Sequence, residues 1–80
     1  MHINKELKKY LTNTKYSENG TEFKFMFNSI YGAIVIKHND HYQIRILDKE
    51  NKTYFEMIGY FTESETNNIL NDIKNRRLKK

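Results

Sequence analysis

His38, Asp40 and His41 are the residues of this chain best equipped for chemistry, and they lie close together in the sequence. Two imidazoles and a carboxylate begin a metal site, yet zinc and similar ions need three or four ligands. The chain has no Cys, and Asp40 is the only carboxylate nearby, so this group reads as exposed turn residues. Glu63, Glu65 and Asp72 form no facing pair at acid–base distance, and helix capping and solubility account for them. Ser17, Ser29 and Ser64 stand in no relation to a His and an acid that would activate a hydroxyl. The three glycines make neither a phosphate-cradling loop nor a dinucleotide fingerprint. The expectation is a protein that is not an enzyme and uses no cofactor and no metal.

Binding side chains remain. Lys74, Arg76, Arg77, Lys79 and Lys80 crowd one stretch, where they suit the C-terminal end of a helix dipole and are candidates to contact phosphates or an acidic surface. The net charge of +4 is concentrated towards the two ends of the sequence, which excludes a strongly acidic DNA mimic and permits nucleic acid or an acidic protein as partner. Lys outnumbers Arg, Asn and Ile are abundant, and Pro and Trp are absent, a composition typical of AT-rich bacterial, phage or plasmid genomes. Without Cys the fold has no disulfide or thiolate staple, and a reducing, cytoplasmic setting is expected. The longest apolar run, residues 33–36, is far too short for a signal segment or a membrane span.

The elements that must position these side chains follow from periodicity. An 80-residue chain without repeats or linkers reads as one domain, residues 1–80, and buries only about 60% of the surface its unfolded form exposes. Ile3, Leu7 and Leu11 recur every four residues and predict a short helix over residues 4–12. Residues 13–21 are turn formers ending in Asn19-Gly20 and read as a loop. Residues 22–28 alternate, with Phe23, Phe25 and Phe27 on one side, and predict a half-buried strand. Strands are also expected over 30–37, 42–47 and 53–60, with Asn39-Asp40 as a tight hairpin turn. Thr62-Glu63-Ser64-Glu65 has capping-box spacing and should open a helix over 63–77, buried along Ile69, Leu70 and Ile73, with Leu78 as an extension. The fold class is α+β: a short N-terminal helix, a three- to four-stranded antiparallel meander, and a C-terminal amphipathic helix on one sheet face.

A two-residue turn at Asn39-Asp40 pairs Val35 with Ile44 and Ala33 with Ile46. One face then carries Tyr31, Ala33, Val35, Tyr42, Ile44 and Ile46, a four-residue loop after Asp48 adds Phe55 and Met57, and that face takes the C-terminal helix. The opposite face receives Ile34, Ile36, Gln43, Arg45, Leu47, Tyr54, Glu56, Ile58 and Tyr60, with Arg45 across from Glu56. An apolar face of this kind needs a cover. The N-terminal helix is the ordinary one, and a partner is the other.

From Tyr31-Gly32 through Tyr42-x-Ile44-x-Ile46 to Gly59-Tyr60-Phe61-Thr62-x-x-Glu65, about half of the chain resembles AP2-like domains, including the arm-binding domains of phage integrases. The resemblance implies a three-stranded sheet backed by a helix and a sheet face that reads DNA through basic side chains on its first strands. Here those positions hold Ile34, Val35 and Ile36, Tyr42 stands where Trp is commoner, and Arg45 is the remaining candidate reader.

The expected function is a non-enzymatic protein-binding module, a small phage or mobile-element inhibitor that docks sterically on a host or defence nucleoprotein complex, as anti-CRISPR proteins do. Its contacts would be Ile34, Ile36, Arg45, Tyr54, Glu56, Ile58 and Tyr60. The alternatives are an AP2-like nucleic-acid-binding domain and a homodimeric regulatory subunit whose copies cover each other's second sheet face.

Overall fold

The computed structural model describes residues 2–18, 20–28, 31–47 and 53–75, with Thr53 and Tyr54 described for their backbone alone. The described elements are α1 (Lys5–Lys8), β1 (Leu11–Ser17), β2 (Gly20–Met26), β3 (Gly32–Lys37), β4 (Tyr42–Leu47), β5 (Thr53–Gly59) and α2 (Glu63–Lys74). The fold is α+β. The strands form one open antiparallel sheet in the order β1-β2-β3-β4-β5, so every strand pairs with its neighbour in the chain.

Two of the sequence expectations are corrected here. The segment 13–21 is mostly strand, which makes the sheet five-stranded, and the expected helix over 4–12 is a single turn. Its polar pattern hid β1: Thr12, Thr14 and Tyr16 favour extended backbone, but a register shift between Leu11 and Asn13 breaks the alternation that marks a strand. Glu18 and Asn19 then lie between the paired residues Ser17 and Gly20. Gly20 has φ of 147°, and a side chain there would meet the Lys37 carbonyl oxygen at 2.1 Å, so only glycine fits.

The other registers stand as expected except at the end of β4, where a shift between Ile46 and Leu47 sets Leu47 against Thr53, and Leu47, expected on the second face, is buried at 1% exposure. Val35 pairs with Ile44, Ala33 with Ile46, and Arg45 with Glu56. His38 donates its backbone N–H to the His41 carbonyl at 2.9 Å, closing the hairpin at Asn39-Asp40. The capping box is formed: Glu65 N–H donates to Thr62 Oγ1 at 3.0 Å, and Thr62 N–H donates to Glu65 Oε1 at 2.9 Å. α2 runs to Lys74, while Arg76, Arg77 and Leu78 lie outside the described residues.

Phe23, Phe25, Ala33, Val35, Ile44 and Ile46 point to one side of the sheet and build the core with Leu70 and Ile73 of α2. Ile3 and Leu7 join that same core. The four-residue spacing of Ile3, Leu7 and Leu11 therefore marked burial correctly, but α1 packs beside α2 and does not cover the second sheet face. Asn67 holds it there. At 2% exposure, its Oδ1 accepts from Asn4 N–H at 2.9 Å and its Nδ2 donates to the carbonyls of His2 and Glu63 at 2.9 and 2.8 Å. At the far end of α2 the Tyr31 hydroxyl donates to the Lys74 carbonyl, and Tyr31 continues a ring cluster through Phe27 to Phe25 and Tyr10. Among the described residues no helix is long and apolar enough to cross a membrane.

Candidate docking face

With both helices on one side, no described element covers the other side of the sheet. Because directly paired residues share a face, the registers arrange this open surface in rows across the strands. One row reads Lys15, Glu22, Ile36, Gln43, Ile58, and the next reads Asn13, Lys24, Ile34, Arg45, Glu56. Aliphatic side chains occupy the middle strand, charges alternate to either side, and Ile58 at the β5 edge is 63% exposed.

Hydrogen bonds lock part of this surface. Glu56 Oε2 accepts from Arg45 Nε at 2.7 Å and from Gln43 Nε2 at 2.8 Å, and Gln43 Oε1 lies 3.4 Å from His38 Nε2. The carboxylate of Glu56 can only accept, so the Gln43 amide must turn its NH₂ to Glu56 and its oxygen to His38, which makes His38 Nε2 the donor. Gln43, and then Arg45, hold the Glu56 carboxyl below its ordinary pKa. Arg45 and Glu56 are each more than a third exposed, so the pair serves orientation more than stability. A shallow hollow of about 320 Å³ opens beside this network, lined by Lys15, Glu22, Ile36, His38, Gln43 and Arg45.

Ile34, Ile36, Arg45, Glu56 and Ile58 are thus brought together, as the registers required. Tyr60 follows β5, is 80% exposed, and has its ring centroid 6.2 Å from that of His41. The side chain of Tyr54 lies outside what the structure describes, as do Arg76, Arg77, Lys79 and Lys80. Lys74 sits with the helix, its ammonium 5.9 Å from the centroid of the Tyr10 ring, and does not join the sheet-face group. The rings of His38 and His41 stack at 4.3 Å, and His41 Nδ1 bonds Asp40 Oδ1 at 2.8 Å, which lowers the Asp40 pKa. Among the described residues no three His, Cys, Asp or Glu side chains gather as metal ligands.

Lys15, Glu22, Lys24 and Gln43 also belong to this face and are absent from the expected contacts, Lys15 because the turn-forming composition of 13–21 predicts a loop there. The signal was present in Asn19-Gly20, a hairpin dipeptide that implies a strand on each side. No family model matches the chain, and no curated protein or solved structure was found to be similar to it.

Proposed function

We propose that this protein is a non-enzymatic docking module that binds a protein surface through its open sheet face and blocks that surface sterically. The carrying observation is the placement of both helices on one side of the sheet, which leaves Ile34, Ile36 and Ile58 on the other. An apolar centre rimmed by polar groups is the usual anatomy of a protein–protein interface. The preset Gln43–Glu56–Arg45 network supplies orientation, and contacts of this kind govern specificity more than raw affinity. The reading extends to a cytoplasmic, phage- or mobile-element-type inhibitor of a host nucleoprotein complex, for which occlusion suffices and no chemistry is needed. Affinity capture from nuclease-treated lysate of the source cell, with the wild type beside Ile58→Asp, tests it. The substitution should reduce capture of the partner at least about tenfold, and equal capture refutes the assignment.

A nucleic-acid reading of AP2-like type is favoured by Lys15, Lys24 and Arg45 sharing the open face, and opposed by Glu22 and Glu56 within the same rows. It requires duplex DNA binding that weakens steeply with salt. Absence of a mobility shift at about 50 mM salt retires it.

A further inference from the structure

We infer that, in the protein on its own, the open face is covered by the same face of a second copy. The two sheets stack about a two-fold axis that runs across the strands, between the Lys15–Ile58 row and the Asn13–Glu56 row. The inference rests on the reading of this face as a docking surface and names its occupant.

A two-fold interface uses one patch twice, so the patch must complement itself. About the crosswise axis each strand lies over its own counterpart, running the opposite way, and each row lies over the other row. Glu22 then meets the partner's Lys24, and Lys24 meets the partner's Glu22. Ile36 meets the partner's Ile34 and the reverse, so four isoleucines fill the centre on the axis, while Gln43 meets the partner's Arg45. The other face-to-face two-fold, running along β3, sets Lys24 against the partner's Arg45 and opposes Glu22 with Gln43. Opposed like charges are unfavourable, and the charge pattern therefore selects the crosswise axis. Glu56 enters the contact already accepting from Gln43 and Arg45, so it is not buried as a bare charge.

Stacked sheets lie about 10 Å apart, a gap that Ile, Lys and Glu side chains span from both sides. Five strands about 4.8 Å apart and roughly 20 Å long present on the order of 400 Å² of flat face per copy. Doubled, about 800 Å² falls below the roughly 1,200–2,000 Å² of stable specific interfaces, so the dimer is weak, reversible and not obligate.

Sedimentation equilibrium of the full chain tests this. From about 1 μM to about 1 mM, the range of a weak reversible complex, the mass should climb from 9.7 kDa towards twice that value. E22K and K24E, each alone, should weaken self-association at least about tenfold, since each substitution creates two like-charge contacts per dimer. An equimolar mixture of the two variants should associate as the wild type does, because one chain offers bases at both positions and the other acids. The double swap E22K/K24E should also dimerise, which separates loss of contact from loss of fold. A wild type that stays monomeric, single variants that associate undiminished, or a mixture no stronger than its components overturns the inference. If the protein is monomeric while Ile58→Asp still abolishes partner capture, the second copy is wrong and the docking face stands. Capture that ignores Ile58→Asp removes the docking reading itself.

Discussion

Replacing Asn67 should expose how the N-terminal turn is held. Its amide is buried and makes two hydrogen bonds to the segment before α1, one accepted from Asn4 N–H and one donated to the His2 carbonyl. Each such bond has a net worth of about 1 kcal/mol, and the backbone groups left behind sit beside a site that admits little water. Asn67→Ala should therefore cost about 2–3 kcal/mol, because Ile3 and Leu7 also lose their anchor in the core. With a urea m-value near 1 kcal/mol/M for a chain of this size, the unfolding midpoint should fall by about 2–3 M. Asn67→Asp provides the sharper comparison. It preserves the acceptor for Asn4 but aims a carboxylate oxygen at the two carbonyls that Nδ2 now serves. At neutral pH Asp should be worse than Ala by a further 1 kcal/mol or so, since a buried charge then faces acceptors. Its folded-state pKa would be raised, so the extra deficit should shrink as pH falls through that raised value and the carboxyl becomes a donor. An Asp variant as stable as the Ala variant at pH 7, or an Ala cost below about 0.5 kcal/mol, would refute this account of the tether.

Thr62→Ala removes the acceptor for Glu65 N–H and half of the capping box, and should cost about 1 kcal/mol in urea unfolding, with Thr62→Ser recovering most of it. Gly32→Ala would place a methyl carbon 2.2 Å from the Phe25 carbonyl oxygen, a backbone atom that cannot swing away, so calorimetry should show a loss of about 1–3 kcal/mol or more. Glu56 and Asp40 are both held below their ordinary pKa, Glu56 by Gln43 and then Arg45, Asp40 chiefly by His41. Their contribution to stability is complete above the unfolded-state carboxylate range and fades as pH falls through the depressed folded-state values, so Glu56→Gln should flatten the acid limb of a stability–pH profile.

The core and the open face were legible in the sequence to different depths. Strands β3 to β5 could be placed because both faces carry demanding side chains: Asn39-Asp40 fixes β3 against β4, and a four-residue loop after Asp48 then sets Arg45 across from Glu56. Thr62 and Glu65 announced the start of α2 through chemistry confined to one turn. β1 was hidden because an edge strand has one neighbour and few packing requirements, and its displaced register disrupts the period-two signal. The destination of Ile3 and Leu7 was hidden for a different reason: an apolar stripe says that it will be covered, not by what. Asn67 decides that, and it lies within the buried spacing of Thr66, Leu70 and Ile73. A polar residue on such a stripe is a sign of a specific partner, one that hydrophobic patterning passes over.

The link from Asn4 to Asn67 joins residues 63 apart in a chain whose strands otherwise pair only with their neighbours. During synthesis the meander can assemble hairpin by hairpin as it emerges, whereas Ile3 and Leu7 must wait for α2. At about 5–20 residues per second that interval is on the order of 3–13 s. The latch therefore cannot close before α2 has been made, and until then Ile3 and Leu7 lack the helix they pack beside.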